Sequence, residues 1–143
     1  MNIALIAHDL KKEELIHLTV AYRDVFARHT LFATGTTGSR IMKATNLNVC
    51  CLKSGPFGGD QEIGALVAQN EIDAVFFIRD PLAALAHGSD VTALLRLCDV
   101  QCIPVATNIA SAELLVKAIQ RQELGWRDVV HRYRNDRRNG TEG

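Results

Sequence analysis

The chain is 143 residues long, with sixteen Lys and Arg against sixteen Asp and Glu, a length that fits one domain and buries roughly two thirds of its unfolded surface. A formal net charge of zero excludes the broad basic field that draws proteins onto nucleic acid or anionic membranes, so any anionic ligand has to be held locally. The start, MNIALIAHDL, has too short an apolar run for a signal peptide or a membrane span, and the expected location is the cytoplasm.

The first apolar run, IALIA (3–7), has the length of a strand buried on both faces, and it ends in His8-Asp9 with Lys12 about one helical turn further on. Leu15, Leu18, Tyr22, Val25 and Phe26 then share one face of a helix. A second strand, TLFA (30–33), runs into TGTTG (34–38) and a shorter helix over 37–45; a third, NVCCL (48–52), runs into SGPFGGD (54–60). Ile63, Leu66 and Val67 mark the next helix, AVFFI (74–78) the fourth strand, Leu94, Leu95 and Cys98 another helix, and PVA (104–106) the fifth strand. Leu114, Leu115, Ala118 and Ile119 mark one helix more. The polar remainder reads as a short terminal helix with a frayed end, so the domain is expected over 1–127 and a polar tail over 128–143.

Strands alternating with helices imply right-handed βαβ crossovers. The predicted fold is therefore α/β: a doubly wound three-layer αβα domain with a five-stranded, mainly parallel sheet. Cys50, Cys51, Cys98 and Cys102 match neither a zinc knuckle nor a redox CxxC and are expected to be reduced, buried thiols. A thiol redox function is the weakest reading of the chain.

In such a sheet the ligand crevice lies beyond the carboxyl ends of the strands, so residues that follow each strand are the ones that can meet. TGTTG leads from a strand into a helix, where backbone N–H groups and the helix dipole suit an anion; Thr34, Thr36 and Thr37 add hydroxyls and Lys12 a full charge. The same residues also suit plain helix capping. Neither GxGxxG nor a Walker sequence is present, so no nucleotide is indicated. Asp60 opens a helix after a glycine-rich stretch; it reads as a cap or, beside an anion cradle, as a base for proton abstraction. Asp80, His87 and Asp90 fall in one loop of about ten residues, where loops begin to need a functional explanation. Each has an ordinary reading as turn residue, solvated histidine or helix cap, and together they form a set in which carboxylates could orient His87 toward a substrate oxygen.

The segments IALIAHD with Lys12, LFATGTTG, SGPFGGDQEIGAL, FFIRDPL, HGSDVTALLRLCD and IPVATNIASAE closely resemble the methylglyoxal synthase family in order and spacing, from Ile3 to about Arg127. The resemblance implies a methylglyoxal synthase-like fold and conversion of dihydroxyacetone phosphate into methylglyoxal and inorganic phosphate, with no metal and no organic cofactor. It implies Asp60 as the base and His87 as the group that handles protons at the substrate oxygens. Asp9, Asp80 and Asp90 match acidic positions of the family site, and His8, Lys12, Thr34, Gly35, Thr36, Thr37, Ser54 and Gly55 match its substrate and phosphate set. A homohexamer and cooperative inhibition by phosphate are implied as well. No nucleic acid or membrane partner is expected. One departure stands out: the family commonly has proline before the loop histidine and before the following aspartate, where this chain has Ala86 and Ser89. The alternative function is a noncatalytic sensor of phosphate or a phosphorylated effector, which would have no need of Asp60 and His87 beside its anion.

Overall fold

The structure is a computed structural model that describes residues 1–53, 58–82 and 88–131, residues 88–90 by their backbone alone. Five strands, β1 (Asn2–Ala7), β2 (Thr30–Thr34), β3 (Cys50–Leu52), β4 (Ala74–Ile78) and β5 (Val105–Ala106), form one sheet in the order β3-β2-β1-β4-β5. All four pairings are parallel, with Ile3 opposite both Leu31 and Ala74. The expected mainly parallel sheet is thus parallel throughout. The helices are α1 (Lys12–Ala21), α2 (Arg23–Phe26), α3 (Gly35–Thr45), α4 (Gly59–Ala68), α5 (Gly88–Gln101) and α6 (Ile109–Gln120).

Because strand side chains alternate between faces, β1 serves both layers. Ile3 and Leu5 pack with Leu15 of α1, Ile41 of α3 and Val116 of α6, while Ala4 and Ile6 pack with Ile63 of α4 and Leu94 of α5. The chain winds outward from β1 through β2 to β3, then returns to the other side of β1 through β4 to β5, and this reversal creates a switch point between β1 and β4.

The structure departs from the sequence reading at the first helix, at the third strand and in the placement of the cysteines. The first long helix is two, because the backbone leaves helical geometry at Tyr22 (φ −113°, ψ 31°). The bend lets Phe26 reach the sheet, where it meets Phe76 edge-on at 5.6 Å between ring centres. The third strand is not buried on both faces: as an edge strand it leaves Cys50 and Cys51 exposed. Of the four cysteines only Cys98 is buried, in the α4–α5 layer, and Cys102 is exposed in a left-handed turn (φ 55°) after α5. Burial pushes the Cys98 thiol up to about 12.

Residues 125–131 form a terminal helical segment that docks at the amino end of the sheet. Its Arg127 is 3% exposed and donates through Nη1 to the Gln101 carbonyl at 2.7 Å and through Nη2 to Asn70 Oδ1 at 2.6 Å and the Ile72 carbonyl at 3.0 Å. Asp73 lies 3.4 Å from the same nitrogen and 3.3 Å from His131, and it accepts the Asn2 backbone N–H at 2.8 Å. Among the described residues no helix is long and apolar enough to cross a membrane.

Candidate active site

The strand ends converge as the topology requires. α3 begins at Gly35, two residues earlier than expected, so TGTTG forms the end of β2 and the whole first turn of the helix. The first N–H groups of a helix have no intrahelical acceptor and carry its partial positive charge. Thr34 occupies the capping position but its side chain makes no capping bond. The Thr37 hydroxyl is buried without a partner among the described residues. Such a group costs about 1–3 kcal/mol, a cost that calls for an explanation in a native structure. Side-chain capping by Thr34 therefore does not account for the threonines of this turn.

Lys12 supplies the charge. As the first residue of α1 it reaches across to α3, donating to Thr36 Oγ1 at 3.0 Å, and pairs with Asp9 at 2.8 Å. Asp9 is almost fully exposed whereas the Lys12 side chain is only 16% exposed, so the carboxylate steadies the ammonium from the solvent side.

His8 lies at the switch point. Its backbone N–H continues the sheet to the Ile78 carbonyl at 3.1 Å, its ring stands edge-on to Phe77, and its Nδ1 accepts the Asp80 backbone N–H at 2.9 Å. A ring nitrogen that accepts a backbone N–H carries no proton of its own. The neutral imidazole is thereby held as the Nε2–H tautomer, a hydrogen-bond donor. Asp80 also serves through its side chain, which accepts the Leu82 N–H at 3.0 Å and closes the turn after β4. Its expected turn role and its place in the candidate set are thus compatible.

Asp60 is the second residue of α4, half-buried and engaged in interactions within the fold. The position of its helix is set by Gly59. A Cβ on Gly59 would lie 1.8 Å from the Lys53 carbonyl oxygen and 3.0 Å from Thr34 Cγ2. Only glycine lets the first turn of α4 approach the end of β3 and the head of α3 so closely. Asp60 therefore leaves the chain one residue from a backbone in contact with the threonine turn. Gly58, at φ 99°, makes the left-handed entry to that helix.

Ser54, Gly55 and His87 lie outside the described residues. Asp90 is in the helical backbone of α5, two residues past its start, and its side chain is not described. Of the expected set, Lys12 meets Asp9 and Thr36, His8 meets the Asp80 backbone, Thr34 to Thr37 share the start of α3, and Asp60 follows Gly59, which lies beside Thr34. Sequence reading missed Glu62, whose Oε1 accepts the Lys53 N–H at 3.2 Å; its only signal was an acid in the first turn of α4. It also missed a cleft of about 430 Å³ lined by Lys11, Glu14, Arg79, Pro81, Thr107 and Asn108. Among the described residues no group of three or more His, Cys, Asp or Glu is placed to hold a metal.

The fold defines an α/β domain of the class that carries its ligand crevice at the carboxyl edge of a parallel sheet, here beside a threonine-rich helix start. The profile of the MGS-like domain matches residues 14–107. Methylglyoxal synthase of Caldicellulosiruptor saccharolyticus is 59% identical over 131 residues, covering 92% of this chain and 93% of its own. That of Bacillus mycoides is 60% identical over 129 residues, covering 90% and 98%. The crystal structure of methylglyoxal synthase from Elizabethkingia anophelis NUHP1 superposes with a TM-score of 0.75 at 43% identity, over 80% of this chain and 76% of that one. The chain belongs to the methylglyoxal synthase family, and with it to the lyases.

Proposed function

We propose that the enzyme converts dihydroxyacetone phosphate into methylglyoxal and inorganic phosphate through an enediolate, without metal or organic cofactor. The observation that carries this reading is the Gly59 contact with Thr34, which sets the helix bearing Asp60 against the threonine turn that Lys12 reaches. A carboxylate beside an anion cradle opposes substrate binding unless it has chemical work, and proton removal is such work.

In this reading the phosphate lies on Gly35, Thr36 and Thr37 and on Lys12, with Thr34, Ser54 and Gly55 completing the pocket. Asp60 takes a proton from the hydroxymethyl carbon, and the electron pair moves toward the carbonyl oxygen, giving the enediolate. The Nε2–H of His8 is a ready donor to a substrate oxygen, and His87, with Asp90 nearby in the chain, carries protons between the oxygens. Asp80 holds His8, and Asp9 holds Lys12. The C–O bond to phosphate then breaks as its electrons leave with the phosphate, provided that bond stands in line with the enediolate π system; the resulting enol becomes methylglyoxal by proton transfer. Donors already in place at the head of α3 stabilise the departing dianion without reorganising. An aspartate of ordinary pKa about 3.9 is a weak base, so desolvation and placement by α4 have to assist it.

By family membership the protein is further read as a cytoplasmic homohexamer inhibited cooperatively by phosphate, with the catalytic unit over 1–127 and the tail over 128–143. The deciding experiment incubates the purified chain with dihydroxyacetone phosphate and follows phosphate and methylglyoxal together, with Asp60→Asn as control. Equal release of both, lowered about 10²–10⁴-fold in the variant with phosphate still bound, is the expected result. Binding without turnover in the native chain would leave a phosphate sensor instead.

A further inference from the structure

Lys53 is the first residue after β3, and Glu62 lies on the first turns of α4. Between them runs the glycine-rich connection that ends at Gly58. The Lys53 N–H has left the β2–β3 ladder, whose last partners are Thr34 and Leu52. The Glu62 carboxylate accepts that N–H at 3.2 Å, while the Glu62 backbone N–H makes the first helical bond of α4, to the Gly58 carbonyl at 3.1 Å. One residue therefore starts the helix and ties it to the strand end. Gly59 is packed so closely on the Lys53 carbonyl that the two backbones act as a stop. A stop prevents closer approach but does not prevent drift apart, and the Glu62 bond supplies that second restraint.

From this we infer that Glu62 is a positioning residue: its carboxylate clamps the amino end of α4 to the end of β3 and so fixes the height of Asp60 over the threonine turn. The inference rests on Asp60 being the base in the lyase reading above. Misplacement of a reacting group by about 1 Å can cost about a hundredfold in rate. Loss of one exposed hydrogen bond gives a smaller drift, and a reduction of about tenfold in kcat is expected. The chemistry requires only an acceptor oxygen, so glutamine in the same place should serve.

The test compares the full-length native chain with Glu62→Ala and Glu62→Gln. It measures kcat and KM for dihydroxyacetone phosphate, Kd for inorganic phosphate, and amide hydrogen exchange at Lys53 and across 59–62. The alanine variant should lose about tenfold in kcat with phosphate Kd within about twofold of the native value, and should exchange faster at these amides; the glutamine variant should stay within about threefold of native kcat. Three results overturn the clamp: native kcat in the alanine variant, equal damage in both variants, or a loss of phosphate affinity that parallels the loss of rate. If the native chain itself makes no methylglyoxal, the lyase reading fails. The clamp is then judged by exchange alone, and unchanged exchange in the alanine variant overturns it.

Discussion

At the amino end of the sheet, the Arg127 guanidinium meets two carbonyls, an amide oxygen and a carboxylate, and each of these partners belongs to a segment that the core already holds. At the carboxyl end, the threonine turn buries a hydroxyl with no partner among the described residues, leaves its capping position without a side-chain bond, and is joined by one lysine from a different helix. The first end is tied together by these bonds, although Arg127 Nε and Gln101 Oε1 are buried there without a partner among the described residues. The second is held by fewer side-chain bonds among the described residues, and in the proposed reading it receives the substrate phosphate. The histidines differ too, since His131 joins a side-chain network with Asp73 while His8 is held by a backbone N–H at the switch point.

The contrast can be broken most severely at glycine. Gly59→Ala should drive the first turn of α4 off the Lys53 carbonyl and lower turnover about a hundredfold, whereas Gly125→Ala, with nothing within 4 Å of the added carbon, should leave steady-state rates unchanged. Wild-type rates for Gly59→Ala would show that the contact with Thr34 is dispensable. Next in size is Arg127→Met, which takes the guanidinium from two carbonyls and from Asn70 in a buried place and leaves Asp73 with only Asn2 and His131. Chemical denaturation should show a loss of about 3 kcal/mol, with kcat of the folded fraction unaltered; a large fall in kcat at native stability would mean that the two ends are coupled.

Lys12→Met is the converse at the rim. It should weaken phosphate binding about tenfold to a hundredfold, the worth of a charge-assisted bond, with little change in thermal midpoint by calorimetry.

The smallest effect concerns His29 at the amino end, whose pKa is lowered by burial first, then by the Met1 ammonium and Arg28, with Asp73 opposing. Because the folded state holds this imidazole neutral more firmly than the unfolded chain does, its contribution is present above the ordinary value of about 6.5 and is lost as pH falls below it. His29→Gln should flatten that part of the fall in midpoint between pH 7.5 and 5.5, and an unchanged slope would count against the assignment.

Much of this was legible in the chain. Runs such as AVFFI, buried on both faces as β4, declare parallel strands because a sheet covered on both sides needs no polar alternation. The residues after each run declare the rim for the same reason. What escaped sequence reading depended on neighbours far away in the chain. Tyr22 carries no glycine or proline to announce a helix break. Cys50 and Cys51 look like core residues until the strand order puts β3 at an edge. Glu62 looks like a solvated helix acid, and Arg127 like one more arginine at the polar end of the domain.

The sequence by itself determined the alternation of strands and helices, the location of the site at the strand ends and the residue types that the chemistry needs, because periodicity and local backbone preference act over a few residues. Only the tertiary structure decided which nitrogen of His8 bears its proton, how near α4 stands to α3, and which charged groups are tied down. Those properties arise from contacts between segments tens of residues apart, whose distances no local pattern encodes.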